Sequence, residues 1–302
     1  MLSVIKLRKV IVKGCTQMMS SLHNPVYFLR DGTPLTSKHI FMEKLKEKIE
    51  APKNVLFIGE NHCDSMAHKL ELEILEMVSS YFPDQTALSL EFFDKSAQPV
   101  LNEYLLDFID YETFISCCEA PANHKDYKPL IDFCKSSGLP VIAANCSRRH
   151  SRLMNRQGHA ALKKLAETSE LHRTLLLPPL PIQPASKQYE DNFRETMGLV
   201  GSKHIDNEKV TRMLEAQSLW DASMADSISK ALHHSNMVVH VTGYFHVKQN
   251  LGIPEHLAHY CNINYNQTTV IILPEERLIF SQQDHKNISD ILVLSDVNSM
   301  TL

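Results

Sequence analysis

Four apolar residues in a row, Val55 to Ile58, run into Gly59 and then into Glu60, Asn61, His62, Cys63 and Asp64. A short unbroken apolar run that stops at glycine predicts a strand buried on both faces, over about 54–59. The pattern recurs at TALSLEFF (86–93), LPVIAAN (139–145), MVVHVTG (237–243) and TTVIILP (268–274), and ISDILVLS (288–295) predicts a last strand at the sheet edge. Between these runs the apolar spacing lengthens to three or four residues. Ile40, Phe41, Leu45 and Ile49 mark a helix over 38–50. Met66, Leu70, Ile74 and Met77 mark another to about Ser80, with Asp64 as its N-cap. Helical stretches follow over about 97–107 and 127–138, the second stopped by Gly138, and a long helix over 207–233.

Strands alternating with helices predict βαβ units, hence an α/β fold with a mostly parallel central sheet flanked by helices. The rhythm fails over about 147–206. That stretch has no strong strand and holds Pro178, Pro179, Pro181 and Pro184, four of the 14 prolines. It predicts a largely helical or irregular insert forming a lid on a single domain over 31–302.

Composition adds bounds. The chain has 302 residues, 43% of them hydrophobic and 22% charged, enough to build one large core. A net charge of −4 gives no basic surplus for nucleic acid. No apolar run approaches the roughly 20 residues that span a bilayer. Seven cysteines without a C-x-x-C pair point away from a disulfide framework and toward a reducing, intracellular compartment. Before Asp31 there is no acid, while Lys6, Arg8, Lys9, Lys13 and Arg30 are interleaved with Leu2, Val4, Ile5, Leu7, Val10 and Ile11. Residues 1–30 fit an organelle-import leader, mitochondrial or of another organelle, as well as they fit an unstructured tail.

In an open α/β sheet, ligands bind beyond the carboxyl ends of the strands. There the sequence places Glu60 and His62 after the first strand, Glu91 at the end of the second, Asn145 at the third and His246 after the fourth. Gly59-x-x-His62 matches Gly243-x-x-His246. Two carboxylates and two histidines on one edge fit a divalent metal that activates water, or a His–Glu pair that does so directly. Neither a Gly-rich phosphate loop nor a G-x-S-x-G elbow occurs, against nucleotide transfer and serine-esterase chemistry.

On the long helix, Val210, Met213, Leu214, Trp220, Met224, Ile228 and Leu232 form one apolar face with Gln217 and Asp221 at its centre. A carboxylate there needs a donor. Asp221 is therefore expected buried and bonded, either tying the helix to a loop or orienting His62 or His246. His68 lies off the main stripe of its helix and reads as a pocket-rim histidine, with a ligand role as the alternative. Arg148 and Arg149 follow the third strand, to bind an anion, to pair with the acids or to stay solvated. Cys146 beside them reads as packing.

The segments FIGENHCDSMAHKLELEIL, LEFFDKSAQPVLNEYL, DYKPLIDFCKSSGLPVIAAN, EAQSLWDASMADSI and VTGYFHVKQNLGIPEHL resemble the ChaN-like haem-binding family over about residues 52–260. The wider group, with Tiki proteases, TraB proteins and erythromycin esterases, shares paired G-x-x-H motifs and a strand-end glutamate. The resemblance implies an α/β sandwich around a parallel sheet, with haem as cofactor and partner, held at the surface or at a homodimer interface. The other reading it implies is a hydrolase of the Tiki or erythromycin esterase type, in which Glu60, His62, Glu91 and His246 are catalytic groups or metal ligands. The family's Ala-Asn-Ala-Pro-Arg stretch is here AANCSRR, with the proline lost and Cys146 gained. No haem ligand transfers residue by residue. Tyr189 and His204 in the insert, and Tyr244 inside the second G-x-x-H turn, are the candidate haem contacts. Leu175 to Leu177, Ile182 and Phe193 are candidate porphyrin-facing surface. Porphyrin iron needs at most two protein ligands, so haem binding is expected to be separable from the Glu/His cluster.

Overall fold

Two short strands come first in the computed structural model, which describes residues 24–199 and 207–300. They are β1 (Val26–Leu29) and β2 (Pro34–Leu35), followed by α1 (Lys38–Lys48), β3 (Asn54–Glu60), α2 (Ser65–Tyr81) and β4 (Thr86–Asp94). Next are α3 (Gln98–Leu105), α4 (Tyr111–Ser116), α5 (His124–Ser137) and β5 (Val141–Asn145). The insert carries α6 (Arg148–Thr168) and α7 (Lys187–Thr196). Then come α8 (Asn207–Leu232), β6 (Met237–Gly243), α9 (Ile253–Tyr260), β7 (Asn266–Glu275) and β8 (Ile291–Asp296). These strands form one sheet in the order β2-β1-β8-β7-β3-β6-β4-β5. All neighbours run parallel except β1, which is antiparallel to both β2 and β8.

The central strands alternate between two cores. Leu56 and Ile58 of β3 join Leu70 and Ile74 of α2 and Leu130 and Ile131 of α5 on one face. Val55 and Phe57 join Met224 and Ile228 of α8 and Ile253 and Leu257 of α9 on the other. Every residue of β3 and β6 is buried, which explains their unbroken apolar runs. Asp64 caps α2 by accepting from the Met66 amide, and Gly138 ends α5 at φ +68°.

One sequence expectation is corrected. The last strand is not at the edge: β8 lies between β7 and β1. The β1 strand itself falls inside the stretch read as a leader, while residues 1–23 lie outside the described residues. The insert is more regular than its prolines suggested, with α6 running 21 residues through a break at Gly158. Among the described residues no helix is long and apolar enough to cross a membrane.

Candidate functional site

The strands β3, β6 and β4 are neighbours, so their carboxyl ends open on one place. Glu60 is in register with Gly243, which sets the two G-x-x-H turns side by side. The turns interlock. A Cβ on Gly59 would lie 2.9 Å from Cα of Tyr244, and one on Gly243 would lie 3.0 Å from Cε1 of His62. Each glycine is there because the other turn passes over it. The sequence motive, a tight strand exit, was the weaker reason.

Glu91 holds the centre. Its Oε2 accepts from Thr242 Oγ1 at 2.6 Å and from the Gly243 amide at 2.7 Å. Its Oε1 lies 3.6 Å from Nε2 of His246. Burial pushes this carboxyl up, but the charges of His246 and His62 and its two donors hold it below the usual range.

His246 is buried and gives Nδ1 to Asp221, whose other oxygen accepts from the Tyr189 hydroxyl at 2.5 Å. Burial alone would lower the imidazole pKa, but Glu91 and Asp221 outweigh it and raise it to about 9. His246 is thus a cation at neutral pH, with a carboxylate near each ring nitrogen. Gln217, one turn before Asp221, lies against the same ring at 3.3 Å.

His62 is half exposed and points Nδ1 at Oε1 of Glu60, 2.9 Å away. Glu60 is buried and also accepts from the Tyr127 hydroxyl at 2.6 Å. Burial pushes the Glu60 carboxyl up, and the His62 and His68 imidazoles more than offset it. Burial likewise opposes charge on His62, while Glu60 and Glu91 raise its pKa. The ring edge of His62 rests on Phe92, 5.5 Å between centroids. The cluster opens into a polar cleft of about 220 Å³ lined by His62, Glu91, Asn145, Arg148 and Trp220.

Glu60, His62, Glu91 and His246 therefore meet at one edge, but not around one point as a metal set. Among the described residues, the group whose ligand atoms all lie within 4.8 Å of one another is Glu60, His68 and Glu71. His68 is turned inward to Glu60 and is not a rim residue. The expected haem contacts also move. Tyr189 is buried on Asp221, and Tyr244 packs in a small apolar cluster with Ile271 and Leu273. His204 lies outside the described residues. Gly252 was missed by sequence reasoning. Its φ is +68°, and a Cβ there would meet the His246 carbonyl oxygen at 2.6 Å and Asp221 Oδ2 at 3.1 Å. The signal for it was a glycine just before Ile253-Pro254, where α9 starts.

A second cavity, about 1000 Å³, lies where the insert leans on the edge strand β5. Leu171, Leu175, Leu176, Pro99, Ile142 and Ala231 give it apolar walls, and Lys95, Arg149 and Lys230 give it cations. Lys95 and Lys230 share one oxygen of Asp226, at 2.6 and 2.8 Å, leaving positive charge in excess. No carboxylate is among its described lining residues. Leu171 and Leu175 are more than half exposed, at 54% and 59%. Neither Tyr189 nor Tyr244 lines it. The two arginines after β5 part company: Arg148 lines the cleft and Arg149 the cavity.

The chain is similar to Protein RETICULATA-RELATED 5, chloroplastic, of Arabidopsis thaliana, with 24% identity over 244 residues. That match covers 74% of this chain and 31% of the relative, so the chain spans about a third of that protein's length. The solved structure of ChaN of Campylobacter jejuni, described as showing cofacial haem binding, matches with a TM-score of 0.62 and 18% identity. It covers 90% of this chain and 97% of that one. An erythromycin esterase in its open conformation matches at TM-score 0.48 and 10% identity, over 89% of this chain and 83% of the other. The family model for haem-binding uptake, Tiki superfamily, ChaN, matches residues 48–257, and the chain belongs to that family.

Proposed function

We propose that this chain binds haem in the cavity between the insert and β5. The observation that carries the proposal is the pairing of apolar walls with a cationic surplus. Haem asks for an apolar slot, cations or hydroxyls for its propionates, and an axial ligand. Leu171, Leu175, Leu176 and Ile142 would face the porphyrin, and Lys95, Arg149 and Lys230 the propionates. His234 is the one imidazole among the described lining residues and would hold the iron. When bound, haem would supply an iron centre for ligand binding or electron exchange. The family match and the fold shared with ChaN support this reading.

A second reading rests on the cleft. The Glu60–His62 pair presents a base at the mouth, with Glu91 and the charged Asp221–His246 pair fixed behind it. His62, oriented through Nδ1, can take a proton from water for attack on an ester or amide carbonyl. Arg148 at the cleft favours a substrate with an anionic group.

One experiment separates the two. Haem is titrated into the purified protein and followed at the Soret band, and ester hydrolysis is assayed alongside. Wild type should saturate near one haem per chain. Leu175→Asp combined with Lys230→Glu should weaken haem binding by about tenfold or more, a loss of about 1.4 kcal/mol. The His62→Ala, Glu91→Ala variant should keep haem and lose any hydrolysis. Loss of haem in that folded variant, with the cavity variant unaffected, would move haem to the cleft and overturn the first reading.

A further inference from the structure

Beneath the cleft lie two side chains, His68 and Glu71, that neither reading uses. His68 and Glu71 are three residues apart on α2, so they share one face of the helix, and that face looks at Glu60 on the end of β3. Glu71 is fully buried, Glu60 is 1% exposed, and the His68 side chain is 10% exposed. Nε2 of His68 is 3.0 Å from Oε2 of Glu60 but out of line for a hydrogen bond. Those two atoms and both oxygens of Glu71 have no hydrogen-bond partner. Four buried polar atoms thus converge with no hydrogen bond between them. Native cores rarely leave even one such atom unpaired.

What the place lacks is a bonded partner for Glu71, which is fully buried with both carboxylate oxygens unpaired. The other oxygen of Glu60 is already served by Tyr127 and His62, so only Oε2 is left to face inward. Two buried carboxylates side by side are stable only with a cation or a proton between them.

We propose that Glu60, His68 and Glu71 bind a divalent cation of the zinc, manganese or ferrous class, enclosed under the strand-end cleft. One imidazole nitrogen and two carboxylates suit such a cation, and without thiolate or thioether they do not select soft cuprous ion. The charges cancel: two carboxylates against one dication. The supporting groups are in place. Tyr127 donates to Glu60 and fixes its plane, and its ring meets the His68 ring at 5.3 Å between centroids. The site is distinct from the haem cavity and stands whether or not the cleft is catalytic.

The test uses the full chain, stripped with a chelator and dialysed, then titrated calorimetrically with zinc chloride and with manganese chloride. Wild type should take up about one equivalent of at least one of them. Glu71→Gln and His68→Ala should each weaken that binding by about tenfold or more. His246→Ala, outside the triad, should leave it within about threefold. Thermal melting separates a variant that binds poorly from one that folds poorly. Chelator should lower the melting temperature of wild type and not that of Glu71→Gln. If stripped wild type binds neither ion and its melting is indifferent to chelator, the two carboxylates share a proton and the proposal is overturned. Binding that survives Glu71→Gln and His68→Ala but fails in His246→Ala would place the ion in the cleft and overturn it equally.

Discussion

His246 carries charge in the interior because Asp221 and Glu91 stand at its two nitrogens. Removing one partner leaves the cation under-compensated. Asp221→Asn should cost about 3–5 kcal/mol, the usual loss when one member of a buried ion pair is removed. It should also move the His246 titration down from about 9, which the imidazole resonances in NMR would report. An unchanged midpoint would mean that Asp221 does not set the charge. Half of this arrangement was legible in the sequence. Asp221 sits at the centre of an apolar wheel, and such a carboxylate must have a donor. His246 was one of the partners the sequence offered, but the choice between it, His62 and a loop, and the second donor Tyr189, were not legible, because helical spacing fixes a face and says nothing of what packs on it. Tyr189 looked like a haem contact for the same reason: it is aromatic and in the insert, but it is spent on Asp221. His68 read as a histidine at the pocket rim and Glu71 drew no attention, because nothing in their helix shows a shared role until Glu60 is seen opposite His68.

The elements that could be read were those whose signal is local. The buried parallel strands and α8 announce themselves by period alone. The position of β8 does not, since its run of four apolar residues is the same whether a neighbour lies on one side or both. Its neighbour β1 comes from the far end of the chain, in a stretch whose basic character masked the Val26–Leu29 strand. The paired G-x-x-H turns were legible as a motif, but their reason is tertiary, a mutual close approach. Gly252 is the third glycine at this junction, and the one that needs its backbone freedom as well as its missing side chain. Gly252→Ala should cost about 1–3 kcal/mol in backbone strain alone. The clash with the His246 carbonyl should push that turn out of place, so the loss is expected with any cleft activity and without loss of haem affinity. Chemical denaturation and the Soret titration check the two halves. A variant as stable as wild type would show that the α9 start can be re-formed without the positive φ.

At the scale of the whole molecule, buried histidines of opposite disposition should shape stability against pH. His246 is raised to about 9, so the folded state holds a proton that the unfolded chain releases near 6.5. Its contribution is complete below about 6.5 and is lost as pH rises through about 9, at no more than about 1.4 kcal/mol per pH unit. His240 and His150 behave in the opposite way. Burial lowers His240 to about 3 and, with Arg149 and His172 adding to it, lowers His150 to about 4. Both stay neutral in the fold while the unfolded chain takes up protons below about 6.5, so they draw stability down as pH falls from there. Glu91, held below its usual range, adds to the acid loss at lower pH still. The expected profile is a dome with its top near pH 6–7, read as urea midpoints across a pH series. His246→Asn should flatten the alkaline limb and weaken only the Glu91 part of the acid limb, because the His246 charge helps hold Glu91 low, while the part set by His150 stays in place. A wild-type profile already flat between pH 7 and 9 would mean that His246 is neutral in the fold, and the charge assigned to the core of the cleft would be wrong.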